Sequence, residues 1–496
     1  MFFLRYLSGG YFILKGGICL RSVLDSPSQR QIKIIEILSE ANEWVTTGKL
    51  ALDLGVAAKT ITDDVKIIRE EWGEELKIES SFVYGIRINQ SSTSILTNVF
   101  SDIFNQSMSV KWIKLIFYFP YKDLNFYADK LHVSQSTLYR LFTKINNSLN
   151  KYHIHLKRCQ SVYYFSADNE TVFRKFMTAF LIDVAGGDLL KIMTEDIMLN
   201  LETRITEKVL GIEIKENSRY LYYFIVFYYT SLYREGQGFN LSDVPPKSYA
   251  TNNEAYLYAC SLSGKFPRVK KEYIDSIEGD ISFHFNGWEN AEEREKVDLT
   301  LNSFVTDLFK QLDISFCDQQ FAIFVRILKS IYIDEKNYAI SYSVLFDRFS
   351  YFSAKFQQEK AGLYHYLIAK FERLSQSLKL DFTTRIDLIV YWLVTSMPQV
   401  LMYRLPQKIL VISDFSESHA DFIAEVLTNN LSAEQDSEIL FDYIAKDELT
   451  KADLNNYQLF VSNCLLADDQ LEVVLIDDYP TYQDIFRVNQ QLSIFK

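Results

Sequence analysis

The stretch Leu50-Ala51-Leu52-Asp53-Leu54-Gly55-Val56-Ala57-Ala58-Lys59-Thr60-Ile61 has a counterpart later in the chain, Tyr127-Ala128-Asp129-Lys130-Leu131-His132-Val133-Ser134-Gln135-Ser136-Thr137-Leu138. Both follow the pattern of a helix-turn-helix. A small residue lets two helices cross closely, and the chain reverses at Gly55 or His132, often in a left-handed conformation. The matching pairs are Ala51 and Ala128, Leu54 and Leu131, Val56 and Val133, and Thr60 and Thr137. Two copies in one chain point to DNA binding.

Elements on both sides of each copy extend the pattern. After the turn, apolar residues recur at the spacing of a helix with one buried face: Ile61, Val65 and Ile68, then Leu138, Phe142 and Ile145. Residues 29–41 and 110–119 predict an opening helix for each copy. Period-two alternation predicts two-stranded wings from residues 76–80 with 83–88 and 154–158 with 162–165. We therefore predict two winged helix-turn-helix domains in tandem; two helical hairpins of a larger helical body remain the alternative.

Charge is unevenly distributed along the chain. The 496 residues carry a formal net charge of -12 and a pI near 5.2, which alone argues against nucleic acid. Between Met108 and Gln160, however, nine basic residues are accompanied by only two acidic ones, Asp123 and Asp129, giving that stretch a net charge of +7. A basic module on an acidic body suits binding to a phosphate backbone, where affinity comes largely from released counterions.

The two second helices offer different side chains to DNA. In the first unit the candidate DNA-binding residues are Lys59, Thr60, Thr62, Lys66 and Arg69. Asp63 and Asp64 lie among them; they would repel DNA if they faced it, or would simply face solvent. In the second unit the candidates are Ser134, Gln135, Ser136, Thr137, Tyr139, Arg140, Thr143 and Lys144, with Lys157 and Arg158 in the wing. Ser134 is also the predicted N-cap of its helix. We expect the second unit to contribute most of the affinity for DNA and the first unit to adjust the register of the protein on the duplex.

Composition limits the remaining classes of function. Hydrophobic residues make up 48% of the chain and charged residues 23%, as in an ordinary multidomain globular protein. The five cysteines are scattered without a CxxC pair, which fits reduced thiols rather than disulfides or a zinc site. Residues 1–20 are apolar but are interrupted by charges and glycines, too short a run to span a membrane. No nucleotide-binding or catalytic motif occurs, so we expect a cytoplasmic protein without enzymatic activity, metal or cofactor.

Beyond residue 168 the pattern changes twice. Residues 169–402 are helical, with amphipathic segments at 171–184, 219–233, 296–312, 318–331, 364–378 and 383–397 and polar breaks at 242–253 and 285–290. The tail alternates short apolar strands with helices, at 408–413, 420–428, 438–443, 457–462, 472–476 and 482–493. Such alternation predicts a small parallel α/β domain. The predicted fold class is therefore multidomain and mainly α: tandem winged helix-turn-helix, two all-helical domains and a C-terminal α/β domain.

This order of domains resembles the Mga/AtxA class of virulence regulators of Gram-positive bacteria, over essentially the whole chain after about residue 28. Residues 42–47 and Lys59-Thr60-Ile61 look like the first DNA-binding unit of that class. The resemblance implies that the helical pair is similar to regulation domains of the phosphotransferase system (PTS), and the tail to a sugar-phosphotransferase IIB domain. It implies a transcriptional regulator that binds double-stranded promoter DNA as a dimer or larger homo-oligomer. We expect an activator, and repression is the alternative that the sequence leaves open. A PTS phosphocarrier protein and RNA polymerase are further candidate partners.

With this resemblance the chain divides into six predicted domains. They are an N-terminal arm at 1–26, winged helix-turn-helix domains at 27–92 and 93–168, PTS-regulation-like domains at 169–286 and 287–404, and a IIB-like domain at 405–496.

The sequence departs from the resemblance at the residues that would carry phosphate. A IIB domain needs a Cys just after its first strand as the nucleophile, but Ser413 ends that strand here and no Cys follows in the loop 413–419. The tail is therefore expected to serve oligomerisation. Regulation domains use histidine as phosphoacceptor; His365 is the first candidate for phosphorylation and His284 the second.

Two other functions remain open from the sequence. An RNA-binding antiterminator would share the regulation domains, but the helix-turn-helix pair argues against it. A PTS phosphocarrier component would share the IIB-like tail, but the missing loop Cys argues against that role.

Overall fold

A computed structural model describes residues 20–41, 43–89, 92–205, 218–241, 274, 276–278, 281, 290–337, 343–403, 407–431, 439–451, 454, 457, 459–466 and 473–494. The chain forms two compact units. Unit 1 comprises Met1–Asp298 and Arg326–Tyr351, and unit 2 comprises Leu299–Val325 and Phe352–Lys496. The predicted fold class, mainly helical with a parallel α/β end, is confirmed. No helix in the described ranges is long and apolar enough to cross a membrane.

The first winged helix-turn-helix has the predicted elements. Its helices and strands are α1 (Ser26–Ala41), α2 (Thr47–Leu54), α3 (Ala58–Leu76), β1 (Ile78–Ser81) and β2 (Gly85–Ile88). Helix α1 begins three residues before the predicted start because the Asp25 carboxylate accepts a hydrogen bond from the Ser28 amide at 2.9 Å. β1 and β2 pair antiparallel from Ile78 opposite Ile88 to Ser81 opposite Gly85. A single bridge from Val45 to Ile86 joins the hairpin to the chain before α2.

The second unit has an extra helix and a third strand. Its elements are α4 (Thr93–Gln106), α5 (Met108–Tyr118), β3 (Lys122–Asp123), α6 (Leu124–Leu131), α7 (Gln135–Leu149), β4 (Ile154–Cys159) and β5 (Val162–Ala167). The sheet order is β3-β5-β4. Beneath it the rings of Trp112, Tyr127 and Tyr163 lie within 6.3 Å of one another, and the Tyr127 hydroxyl donates to the Phe119 carbonyl at 2.7 Å. This buried aromatic cluster packs α5 and α6 against the wing sheet.

The end of the predicted N-terminal arm is part of the unit 1 core. Residues 20–23 form a 3-10 turn, with Leu20 and Val23 completely buried. The Ser22 hydroxyl donates to the Ser148 hydroxyl of α7 at 2.8 Å, and the Leu20 amide donates to the Val344 carbonyl at 2.5 Å. The described part of the arm therefore packs against the second winged helix-turn-helix unit.

The other described residues of unit 1 are mainly helical, as predicted. It contains α8 (Glu170–Ala185), α9 (Glu195–Arg204), α10 (Ser218–Gly236) and parts of α11 (Ala291–Gln311) and α12 (Asp318–Asn337). Two buried ion pairs lie where this region meets the second wing: Arg174 to Glu235 at 2.7 Å and Arg234 to Glu170 at 2.6 Å. The Arg234 guanidinium also donates to the Phe165 carbonyl of β5 at 3.3 Å, so α10 is bonded directly to the wing sheet.

Unit 2 contains the rest of α11 and α12, the helical residues from 352 onward and the α/β domain. The elements that follow α12 are α13 (Arg348–Glu359), α14 (Ala361–Leu378), α15 (Ile386–Ser396), β6 (Gln407–Ser413), α16 (Glu417–Leu431), β7 (Ile439–Ala445), β8 (Leu459–Ser462), β9 (Val473–Leu475) and α17 (Tyr482–Ile494). The four strands are parallel in the order β7-β6-β8-β9. Ile409 and Val411 of β6 are buried with α16 and α17, and Leu410 and Ile412 on the opposite face. The predicted parallel α/β tail is confirmed.

Some sequence expectations stay predictions. The six domain ranges are not tested by the two compact units. The polar break at 242–253 and residues 285–289 of the second break lie outside the described residues. Helices α4, α9 and α13 were not predicted from the sequence.

Candidate nucleic-acid interface

The first two turns of α7 are presented to solvent. Five of the predicted residues are exposed along them: Gln135, Ser136, Tyr139, Arg140 and Thr143. The helix begins after Ser134, whose hydroxyl accepts a hydrogen bond from the Thr137 amide at 3.2 Å, so the predicted N-cap is confirmed. The partial positive charge of a helix N-terminus adds to the attraction for phosphate.

The second wing adds cations beside this helix. Lys157 and Arg158 of β4 are exposed, and the Arg158 guanidinium lies 5.9 Å from the centroid of the Tyr139 ring on α7. This contact joins wing and helix into one surface, which we call the α7 surface: Gln135, Ser136, Tyr139, Arg140, Thr143, Lys157 and Arg158. Lys122 and Lys130 are also exposed in this unit. Both lysines belong to the basic stretch between Met108 and Gln160 but were not predicted as contacts with DNA.

Three predicted residues of the second unit are engaged within the protein. Lys144 is half-buried, and its ammonium donates to the Leu24 carbonyl at 2.5 Å. Thr137 is half-buried, with its hydroxyl 3.0 Å from that of Ser134, and the Gln135 amide donates to Asn125. Lys144 therefore contributes to packing behind α7, while Thr137 and Gln135 help to set the shape of the helix start.

The first unit presents fewer uncommitted groups. Lys59, Thr62, Lys66 and Arg69 are exposed and Thr60 is half-buried. The Thr62 hydroxyl donates back to the Ala58 carbonyl at 3.1 Å, and the Lys66 ammonium lies 3.8 Å from the Glu70 carboxylate. This helix therefore offers a weaker cationic face than the α7 surface.

Asp64 requires a correction. It was expected to face either DNA or solvent, but it is 3% exposed and accepts two hydrogen bonds from Arg30 of α1, one of 3.1 Å from Nη2 to Oδ1. The hydrogen bond that the Arg30 guanidinium donates to the Asp64 carboxylate raises the pKa of Arg30. Only Asp63 is exposed, because the face of α3 that carries Asp64 packs on α1. The first unit therefore presents one carboxylate here rather than two.

The first wing carries a feature that the sequence analysis missed. Its turn consists of Phe82, Val83 and Tyr84, with relative exposures of 108%, 76% and 63%. We call these three residues the wing-1 tip. The signal was available in the sequence, because turns between strands are usually polar or rich in glycine.

The candidate phosphorylation residues lie away from the helix-turn-helix surfaces in sequence. His365 is exposed on α14, with its ring 6.0 Å from that of Tyr364, whereas His284 lies outside the described residues. Ser413, at the position where a phosphoryl-transferring IIB domain carries Cys, is completely buried. Its hydroxyl lies 2.8 Å from Nδ1 of His419, and Nε2 of His419 lies 2.9 Å from the Asp478 carbonyl. Within the described ranges, no cluster of His, Cys, Asp and Glu is arranged to hold a metal ion.

Sequence comparison shows which known proteins this chain is similar to. Residues 92–162 match the Mga helix-turn-helix domain, a range that begins at α4 and ends in the second wing. Over 520 aligned positions the chain is 21% identical to a putative trans-acting regulator of Streptococcus pneumoniae serotype 4 (strain ATCC BAA-334 / TIGR4), covering 96% of this chain and 99% of the relative. It is 21% identical over 505 positions to the capsule synthesis positive regulator AcpB of Bacillus anthracis, covering 95% and 99%. A shorter alignment, 25% identical over 129 positions, covers 26% of this chain and 27% of the anthrax toxin expression trans-acting positive regulator of Bacillus anthracis.

Proposed function

Because the chain belongs to the Mga/AtxA-like family of trans-acting regulators, we propose that it is a transcriptional activator that grips double-stranded promoter DNA mainly through the α7 surface. The observation that carries this proposal is the exposed start of α7 beside Lys157 and Arg158, inside the stretch with net charge +7. Activation is supported by the names of two relatives, which are positive regulators. We place the protein in the cytoplasm, with RNA polymerase as the partner through which it would activate.

Binding titrations of the full chain test whether the α7 surface is the main contact with DNA. We expect Arg140→Ala to weaken binding to a promoter duplex roughly tenfold or more, as for a side chain at a base edge. Lys157→Ala should instead make the negative slope of log affinity against log salt concentration shallower by about 0.9, as for one lost phosphate contact. Lys66→Ala should have a smaller effect, because Glu70 already neutralises that ammonium. Lys310→Ala, an exposed lysine near the end of α11, is the matched control and should change nothing.

The same titrations separate the alternative functions. A matching RNA should compete poorly with the duplex if the α7 surface reads a major groove. Equal affinity for RNA would favour an antiterminator. Unchanged duplex binding by Arg140→Ala and Lys157→Ala together would overturn the assignment of the α7 surface.

We further propose that His365 is phosphorylated by a PTS phosphocarrier protein and thereby regulates the activator. Its imidazole is exposed on α14, where a protein phosphodonor could reach it. His419 is a matched negative control, since both of its ring nitrogens already have hydrogen-bond partners. In a phosphotransfer assay, His365→Ala should lose label and His419→Ala should keep it. Equal labelling of wild type and His365→Ala would exclude that residue and leave His284 as the candidate.

The α/β domain is proposed to join copies of the chain into a dimer. It exposes the aromatic side chains of Phe415, Phe422, Tyr479, Tyr482 and Phe486, and the Phe422 and Tyr479 rings lie 5.7 Å apart. Large exposed aromatic patches are typical of protein interfaces. By light scattering after size-exclusion chromatography, Phe486→Asp should shift the dimer toward monomer. Leu299→Asp, at an equally exposed leucine of α11, should leave the mass unchanged. If the Phe486→Asp variant remains a dimer, the interface between the copies lies elsewhere.

A further inference from the structure

The wing-1 tip is apolar and unusually exposed for a turn. Phe82 is 108% exposed and Val83 76% exposed, and neither side chain is in a ring contact or buried cluster of the described residues. The corresponding tip of the second wing is Gln160-Ser161, which is polar and exposed. An exposed phenylalanine costs free energy in water, so the first wing carries a feature that its own folding does not require.

The tip is held in a fixed shape. The Ser81 hydroxyl accepts hydrogen bonds from the amides of Val83 at 3.3 Å and Tyr84 at 3.2 Å. Below it, the Tyr84 ring lies 6.0 Å from that of Trp44, and the Arg87 guanidinium lies 4.8 Å from the Trp44 ring. Because Tyr84 is supported from beneath, Phe82 and Val83 project from a braced turn rather than from a loose loop. A contact made with such a tip loses little conformational entropy.

The strands below the tip carry no uncompensated negative charge. Glu79 is their only acidic residue, and its carboxylate is 2.8 Å from the Arg87 guanidinium and 2.5 Å from the Asn89 amide. On α3, Lys59 and Arg69 are exposed, together with the carboxylates of Asp63, Glu70, Glu71, Glu74 and Glu75. The strands of the hairpin therefore add no unpaired carboxylate of their own to the repulsion that a polyanion would meet.

The size of the tip distinguishes DNA from a protein partner. A stable protein interface buries about 800 Å² on each partner, whereas one aromatic side chain supplies about 150–250 Å². A base step needs only one or two apolar side chains to be wedged open from the minor groove. A braced, apolar turn of three residues on a DNA-binding domain fits the second requirement and falls short of the first.

We propose that Phe82 of the wing-1 tip inserts from the minor groove between two base pairs and kinks the duplex. This inference rests on the proposed DNA binding and adds a mode of recognition to it. The two units then have different tasks, with the α7 surface holding the phosphates and bases and the first wing selecting sequences that bend easily. Pyrimidine–purine steps such as TA are the favoured sites, since they unstack at the lowest cost.

The test measures DNA shape together with affinity. The probe is the duplex that the full chain enriches most strongly from a random-sequence pool, with fluorophores at both ends and 2-aminopurine placed at successive steps. With wild type and with Phe82→Leu, which keeps an apolar wedge, we expect increased end-to-end energy transfer and brighter 2-aminopurine at one step. Phe82→Ser should lose both signals and keep the salt slope of wild type, because no phosphate contact is removed. Leu52→Ser, at a strongly exposed apolar residue of α2 outside the tip, should behave like wild type.

The possible failures are distinguishable. If Phe82→Ser keeps the bend and the 2-aminopurine signal while Arg140→Ala still weakens binding, the wedge is wrong and the proposed function stands. If the chain enriches no duplex and binds none with a salt-dependent affinity, both the wedge and the proposed function are wrong. If Phe82→Ser instead changes the mass of the particle in solution, the tip is a protein contact and the wedge is overturned.

Discussion

Gly55 and His132 occupy the same place in the two helix-turn-helix units, and both have left-handed backbones, with φ of 65° and 54°. A Cβ at Gly55 would meet no heavy atom within 4 Å, so backbone strain is the only cost of a side chain there. We therefore expect Gly55→Ala to lower the free energy of unfolding by about 1 kcal/mol and His132→Gly to raise it by a smaller amount. Urea denaturation measures both. A Gly55→Ala variant as stable as wild type would contradict this account of the turn.

Asp63 and Asp64 are neighbours with opposite roles. Asp64→Asn should lower the free energy of unfolding by about 2 kcal/mol or more, because the mostly buried Arg30 would lose its charged partner. Asp63→Asn is the matched control, since its carboxylate is exposed; it should leave stability unchanged and strengthen DNA binding slightly. Thermal unfolding and duplex titration of the two variants check both expectations. Equal stability loss for the two would contradict the assignment of Asp64 to the core.

Asp183 at the end of α8 makes unit 1 sensitive to pH. Its carboxylate accepts hydrogen bonds from the amides of Val344 and Leu345 at 2.7 Å, yet burial raises its pKa to about 7. The folded state then keeps a proton that the unfolded chain loses above its ordinary pKa of 3.8. The contribution of Asp183 to stability therefore falls as pH rises from about 4 to 7. Relative to Asp183→Asn, wild type should lose at least about 1 kcal/mol between about pH 5 and pH 8 in urea denaturation. Parallel pH profiles would contradict this.

Residue-scale features were predictable where backbone geometry decides them. The left-handed turns at Gly55 and His132 and the cap at Ser134 follow from local sequence. The burial of Asp64 did not, because its direction depends on α1 packing across α3, and no local pattern distinguishes it from Asp63.

Gly85 fixes the first wing to the rest of its domain. Its φ is 100°, and a Cβ there would lie 2.3 Å from the Val45 carbonyl oxygen, a backbone atom that cannot move without breaking the bridge to Ile86. Gly85→Ala should therefore lower the free energy of unfolding by about 3 kcal/mol. Gly48→Ala, in α2 with nothing within 4 Å of the added Cβ, should instead stabilise by up to about 1 kcal/mol. Urea denaturation distinguishes the two signs, and a harmless Gly85→Ala would show that the hairpin is free of Val45.

Elements were predicted best where apolar periodicity is strong. The strands of both wings and the helices α1, α5, α8 and α10 agree with the sequence patterns to within a few residues. Helix α4 was missed although Ser92 caps it, because its polar residues mask the apolar face formed by Leu96, Phe100 and Ile103. Val83 and Tyr84 of the wing-1 tip were predicted as the start of the second strand, but that strand begins only at Gly85 and both residues lie in the turn.

At the scale of the whole molecule, long-range contacts complete the DNA-binding region. Val344, Leu345 and Phe346 are at most 5% exposed and belong to the same core as α1 and α7. A chain ending at residue 342 lacks these three buried side chains. Relative to a chain ending at residue 403, this core should lose about 5 kcal/mol of hydrophobic stabilisation. We expect limited proteolysis to cut residues 20–25 faster in the shorter chain. Equal cleavage rates would contradict a supporting role for residues 344–346.

The order and class of the domains were predictable from the sequence because each has its own periodicity. The joining of residues 20–24 to α7 and to residues 344–346 was not, since no short-range pattern records which distant segments share a core.

The bond from Arg21 to the Leu345 carbonyl spans 324 positions of the chain, and it bears on how the protein is made. A ribosome delivers the chain from its N-terminus, and domains generally fold as they emerge. Both helix-turn-helix motifs are therefore synthesised long before the segment that closes the core behind them. The nascent chain must hold residues 20–24 without their final partners through the synthesis of α8 to α12. A finished DNA-binding region thus indicates that the helical region has been made as well, so a prematurely terminated chain would carry both motifs on an incomplete support.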